Sequence, residues 1–326
     1  MSASCRKLTQ RRKRRCGRGP LTGLDVTARA PSYRRMDEKR AIDTQGALFL
    51  SGFAAVLALN QVVIKVTSGG FGPVFQAGLR SLGAIAVLML WAWARGLRID
   101  RNPVLIPWGV LSGLLFTAEF IALFLALDLG AVSRVSILFY SMPVWLGLAA
   151  HVWLPGERLS PQRWLGMGLA MGGVALALMD RGSAAGGVWG DVLAIVAALC
   201  WGGIALVARL TPMARTNPET QLIYQLVVSA PLLLLAAPLF GPLIRDLQPL
   251  HLAGLVFQMI CVASLGFLLW FHLIATYRAS SVASFSFLSP VLAVLFGWLL
   301  LGETLSPKIW LALALVAGGV VLINRR

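Results

Sequence analysis

A run of about 20 predominantly apolar residues, the length a helix needs to cross the ~30 Å hydrocarbon layer of a bilayer, recurs ten times along this chain. The runs cover roughly 46–66, 72–94, 104–127, 131–153, 161–179, 188–208, 219–239, 250–274, 280–301 and 307–323. The gaps between them are short and rich in Gly, Pro and charge, as in "TSGGFG", "RGLRIDRNP", "PGERLSP", "DRGSAAGG" and "FGPLIRDLQP". No stretch after residue 45 leaves room for a soluble domain. Composition agrees: 58% of the 326 residues are hydrophobic and 13% are charged, against about 25% charged in soluble domains. The expected class is an all-α membrane protein with ten transmembrane helices.

The net charge of +16 resembles that of a nucleic-acid binder, but its distribution argues against one. Residues 1–35 hold eleven Lys or Arg and one acid, Asp25, and so supply +10 of the +16. Residues 1–45 read as a basic, disordered cytoplasmic tail. It lacks the apolar stretch of a signal peptide, and an alternative reading starts the protein at Met36. Lys and Arg also orient the body. With the N-terminus inside, the inner connections carry Arg95, Arg98, Arg101, Arg158, Arg163, Arg209, Arg215, Arg278, Arg325 and Arg326. The outer ones carry Lys65, Arg134, Arg181, Arg245 and Lys308. Both termini are expected in the cytoplasm, in a multi-pass chain of the inner membrane.

Cys5, Cys16, Cys200 and Cys261 form no CxxC pair, and His151, His251 and His272 are scattered. No disulfide framework, metal or cofactor is expected. The sequence has no GxxxxGK loop, no HExxH and no paired catalytic carboxylates, which argues against an integral-membrane enzyme. The expected partners are a small molecule and the lipid bilayer, with no nucleic acid; a homodimer stays open.

The chain also repeats itself. "LFYSMPVWLGLAAHVWLPGERLSPQRWLGMGLAMGGVALAL" (138–178) matches "LSPVLAVLFGWLLLGETLSPKIWLALALVAGGVVLI" (288–323). Pro143 pairs with Pro290, Glu157 with Glu303, and Gly172-Gly173 with Gly318-Gly319. Upstream, "ALNQVVIK" (58–65) lies against "ALCWGGIA" (198–205). The units run 46–180 and 187–324. Five helices in each make the second copy run upside down, an inverted 5+5 repeat of the kind transporters use, with the site near the midplane between halves.

The doubled "P…GERLSP…WLG…GGVAL" pattern and "ALNQVVIK" resemble the EamA family of the drug/metabolite transporter superfamily, over about 46–323. The resemblance implies ten helices, a 5+5 inverted fold and alternating-access movement of small metabolites, often outward. It does not imply one substrate, amino-acid-like and anionic solutes both remaining open. The family's usual Trp before the first-helix Asn is absent, Ala58 and Leu59 preceding Asn60; the second half has Trp201.

An ionised Glu119 inside "FTAEFIALF" costs ~2.5–3.5 kcal/mol on insertion scales, so something neutralises it or the protein uses it. Glu119 lies about eight residues from the outer end of the third helix and Arg80 about eight residues into the second, so both sit ~12 Å below the outer edge. Asn60, Tyr140 and Gln76 fall in the same layer, with Gln76 on the Arg80 face through i,i+4 spacing. Arg80 is the expected answer to Glu119. As a structural pair they fix helix register. As a functional pair, Arg80 with Gln76 and Asn60 receives an anionic group, while Glu119 takes up a proton or holds Arg80 until substrate arrives. Tyr140 adds an aromatic wall. In the second half Gln225 stands where Arg80 does, Gly266 replaces Glu119, and Trp201 and Gln225 are further pathway candidates. Pro143 and Pro290 are candidate hinges. Glu157 and Glu303 read as connector structure, and Gly168, Gly172 and Gly173 as a close-packing face.

The function expected is a secondary transporter driven by a gradient rather than ATP, because the chain holds no ATP-binding motif, with export as the favoured direction. A channel-like or receptor-like membrane protein is the alternative. The topology predicts that a C-terminal reporter active only in the cytoplasm is active, and that the same reporter fused after Ser183 is silent. Activity at Ser183 would break the inverted reading.

Overall fold

The computed structural model describes residues 43–97, 99–153, 160–180, 187–266, 269 and 288–324. The basic tail, Glu157 and parts of the eighth and ninth expected spans lie outside these residues. Every regular element described is helical; the β-structure among the described residues is one isolated bridge, Phe71 with Ile244. The helices are α1 (Thr44–Thr67), α2 (Pro73–Ala94), α3 (Ile106–Leu129), α4 (Val132–Phe139), α5 (Met142–Trp153), α6 (Pro161–Met179), α7 (Gly187–Leu210), α8 (Pro218–Ala236), α9 (Pro249–Phe257), α10 (Leu288–Leu301) and α11 (Pro307–Asn324). α9 widens into a π-helical segment, Gln258–Gly266. Six spans are long and apolar enough to cross a membrane, and Pro249–Ala263, Leu288–Leu301 and Pro307–Ile323 are shorter apolar helices.

Proline starts many of these helices because the first turn needs no N–H from it. Ser160 caps α6 by accepting from the Arg163 amide, and Ser306 caps α11 by accepting from Ile309. Pro143 departs from expectation. Instead of kinking one helix over 131–153, it follows a full break: α4 ends at Phe139, Tyr140 and Ser141 intervene, and Pro143 occupies the first turn of α5. Ser141 stabilises the break, its hydroxyl donating to the Leu138 carbonyl (2.6 Å) and accepting from the Trp145 indole (3.0 Å). Pro290 is the third residue of α10, and residues 270–287 lie outside the described residues.

The body is turned inside out relative to a soluble protein. Trp93 and Leu239 are 80% and 82% exposed, while Asn60, Gln76, Arg80 and Glu119 are buried. Water would not tolerate this pattern over so many residues, but hydrocarbon requires it, because apolar side chains are soluble there and charges are not.

Helix pairings come in exchanged sets. α1 packs on α10 and α9; α7, its counterpart, packs on α4–α5 and α3. α2 packs on α8, and α6 on α11. Directions follow from the contacts. Lys65 at the end of α1 meets the end of α3, so these two run in parallel. α7 meets α3 with Gly190 near Ala126 and Gly203 near Leu115, so it runs antiparallel to α3 and hence to α1. α8 likewise opposes α2, with Gly72 near Pro242 and Gly78 near Leu234.

α6 and α11 pack backbone to backbone, and the contact corrects part of the expected glycine face. Gly168 and Gly172 look onto open space. Gly173, the expected member that does meet α11, faces Val316, and Gly166, seven residues away on the same stripe, faces Gly319. A Cβ at Gly319 would lie 2.5 Å from the Gly166 carbonyl oxygen. Since that neighbour is backbone and cannot turn aside, Gly319→Ala should lower stability by about 1–3 kcal/mol, the overpacking range, whereas Gly172→Ala should not. Melting temperature in detergent checks both.

Candidate functional site

The buried stripe of α2 runs Gln76, Ala77, Arg80, Ser81, Ala84, Leu88, the 3–4 spacing of one helix face. Opposite it, Phe116, Phe120 and Phe124 stack along α3 at four-residue intervals, with ring centroids 4.1 and 5.5 Å apart. The Arg80 guanidinium carbon sits 4.7 Å from the Phe120 centroid and 6.0 Å from that of Phe124. A desolvated cation over such rings gains about 2 kcal/mol.

This stacking explains the one adjustment to the expected pair. Arg80 and Glu119 are both buried, and each acts electrostatically on the other. They do not form a direct ion pair, because consecutive residues on a helix point about 100° apart. With Phe120 under Arg80, Glu119 stands to one side. Arg80 Nε and Glu119 Oε2 are left buried without a hydrogen-bond partner.

The other expected residues separate into groups. Asn60 and its neighbour Gln61 present buried, unpartnered side-chain oxygens from α1. Gln76 is engaged across the repeats: its amide donates to Gln258 (3.3 Å) and to the Ile64 carbonyl (3.4 Å), and Gln258 donates to Thr67. Tyr140 lies at the α4–α5 break, its hydroxyl facing Ser289 and Gln61. It meets Trp201 edge-on, with ring centroids 6.3 Å apart, and Trp201 stacks on Phe139 at 5.0 Å. Gln225 donates to Ser112 (3.0 Å).

A narrow cavity opens beside Arg80, between the halves. Arg80, Ser81 and Ala84 of α2 and Phe116 and Phe120 of α3 line one side; Leu222 and Leu226 of α8 and Ala263 of the π segment line the other. It is a largely apolar slot with one cation in its wall, too small here for a metabolite. Among the described residues no group of His, Cys, Asp and Glu could hold a metal. Phe120, Gln61 and Ser289 were not anticipated. The signal for Phe120 was in the sequence: the three phenylalanines on either side of Glu119 share one helical face.

A membrane-embedded chain of two halves, with counterpart helices antiparallel and a buried cation between them, matches one family twice. The EamA-like transporter family covers residues 44–179 and again 188–325. The chain belongs to that family. Among its relatives, uncharacterised protein PA1977 of Pseudomonas aeruginosa is 34% identical over 66% of this chain and 71% of its own. Uncharacterised transporter YvbV of Bacillus subtilis is 26% identical over 88% of this chain and 94% of its own. Uncharacterised inner membrane transporter YedA of Escherichia coli K12 is 25% identical over 86% and 90%. A crystal structure of a protein 23% identical superposes over 86% of this chain and 96% of its own with a TM-score of 0.62, which shows a shared fold. The names of the family and of YvbV and YedA are those of transporters, and the apolar helices make this one a multi-pass membrane protein.

Arg80 and Glu119 share one dry environment without touching, so their neutralisation should be coupled. Arg80→Gln or Glu119→Gln alone should lower the melting temperature in detergent. The double variant should lose less than the sum, by a coupling of about 0.5–3 kcal/mol. Strict additivity would mean that the two charges do not act on each other.

Proposed function

We propose that this EamA-family chain is a secondary transporter that moves a small metabolite out across the bacterial inner membrane by alternating access. Ten spans in an inverted 5+5 arrangement, with both termini cytoplasmic, form the carrier, and a gradient rather than ATP drives it. The observation that carries this reading is the pair of buried, incompletely satisfied charges, Arg80 and Glu119, at a slot between the two halves. A charge held inside a membrane body at such cost marks a substrate or ion path. The membrane position follows the name of YedA.

In this reading Arg80 receives an anionic group of the substrate, Phe120 holds the guanidinium in place, and Asn60 and Gln76 flank it. Glu119 takes up a proton or restrains Arg80 while the site is empty. Tyr140 and Trp201 form the aromatic wall at the α4–α5 break, with Gln225 further along the path. Pro143 and Pro290 are the points about which their spans flex.

Metabolite profiling of medium from overexpressing and deleted cells identifies the substrate, and counterflow in proteoliposomes then tests the carrier. Labelled substrate should accumulate against unlabelled substrate and saturate. The Arg80→Gln/Glu119→Gln double variant should recover much of its stability while counterflow stays lost. Conversion of the substrate would indicate an enzyme, flux without exchange acceleration a channel, and wild-type counterflow in the double variant would remove both residues from the path.

A further inference from the structure

One end of the bundle is tied across the repeat boundary by charge. Gly302 at the end of α10 adopts a positive φ of 65°, a turn that ends a helix without Cβ strain. It swings Glu303 over to the other repeat, where the carboxylate accepts from the amides of Val132 (2.6 Å) and Ser133 (2.9 Å) at the start of α4. Gly297 makes room, because a Cβ there would sit 2.8 Å from a Glu303 oxygen. Glu303, expected as connector structure, lies in the connection after α10, and from there its carboxylate bonds the opposite half.

Further bonds at this end cross the same boundary. Arg134 of α4 forms a buried ion pair with Asp191 of α7 (Nε to Oδ1, 2.7 Å) and also donates to the Asp180 carbonyl. Arg245, before α9, forms a two-pronged pair with Asp128 at the end of α3 (2.8 and 3.0 Å), and its backbone amide donates to Gly70. Asp128 holds the Arg245 guanidinium above its ordinary pKa range. The Gly72 amide donates to Leu243, and Phe71 bridges Ile244. At the opposite end, the Asp100 amide donates to Thr220 at 3.3 Å and the Tyr224 hydroxyl to the Asp100 carbonyl at 3.4 Å.

We propose that Glu303, with the Arg134–Asp191 and Arg245–Asp128 pairs, is a latch that holds this end of the transporter shut, so that the Arg80 slot reaches this side of the membrane only when these bonds part. The proposal rests on the carrier reading above, since only a carrier must open that end. All three contacts join residues that belong to different repeats, so separating the repeats there breaks them together. The charges on Glu303 and its target have matching sense: a carboxylate at the positive end of α4.

The test reads exposure of the slot rather than transport. In a chain freed of its native cysteines, Ser81→Cys places a thiol in the slot, and Lys308→Cys in a parallel chain reports which membrane face the latched end occupies. A membrane-impermeant methanethiosulfonate is applied to each face. Glu303→Gln should raise labelling of position 81 from the latched face about tenfold, the population shift expected for loss of one charge-assisted hydrogen bond. Phe71→Cys with Ile244→Cys offers a lock, since bridged antiparallel residues lie within disulfide reach. Oxidising it should abolish the gain, and reductant should restore it. If Glu303→Gln fails to accumulate, the lock in the otherwise parental chain decides: oxidation should lower latched-face labelling and reduction raise it. Unchanged labelling in both the glutamine variant and the lock would overturn the latch while leaving counterflow, and hence the carrier reading, untouched.

Discussion

A charge inside hydrocarbon has no water to solvate it, and the rest of this bundle follows from that constraint. Arg80 cannot face lipid, so α2 must turn its polar stripe inward, and the interior that receives it must be built by neighbours that bring either rings or charge. α3 supplies both from one stretch: Phe120 under the guanidinium and Glu119 beside it. The apolar sides of the same helices then face outward, which is why large side chains such as Trp93 and Leu114 lie on the surface. The two halves stay in register around this interior because α6 and α11 pack backbone to backbone through Gly166, Gly173 and Gly319.

The extent of the helices and their division into two halves were legible in the sequence. Apolar run length marks the spans to within a few residues, as in 46–66 against α1 at Thr44–Thr67, and the doubled motif marks two halves. Depth could be counted at 1.5 Å per residue, which is enough to put Arg80 level with α3. What the runs do not encode is rotation about each helix axis. In a span that is apolar almost all round, the buried side is set by neighbours rather than by periodicity. Hence Gly173 rather than Gly172 meets α11, and Phe120 rather than Glu119 lies under Arg80.

Contacts between distant segments were the second blind spot. Nothing in "GETLSP" says that its glutamate reaches the first turn of α4, because the bond depends on the left-handed turn at Gly302 and on space left by Gly297. The α4–α5 break was half visible. Pro143 pointed to the place, but Ser141, which satisfies the free groups at the gap, decided that the helix stops instead of bending.

The two cross-repeat ion pairs differ in how far they stand from water. The side chains of Arg134 and Asp191 keep 7% and 12% of their surface; those of Arg245 and Asp128 keep 30% and 18%. Dissolved ions screen exposed charges over about 8 Å at physiological ionic strength and reach buried ones far less. The same rim therefore contains one contact that responds to the electrolyte outside and one that is insulated from it. Ionic strength tunes the outer pair and leaves the inner one as a floor, so the tightness of this end varies with the medium within limits the protein itself sets.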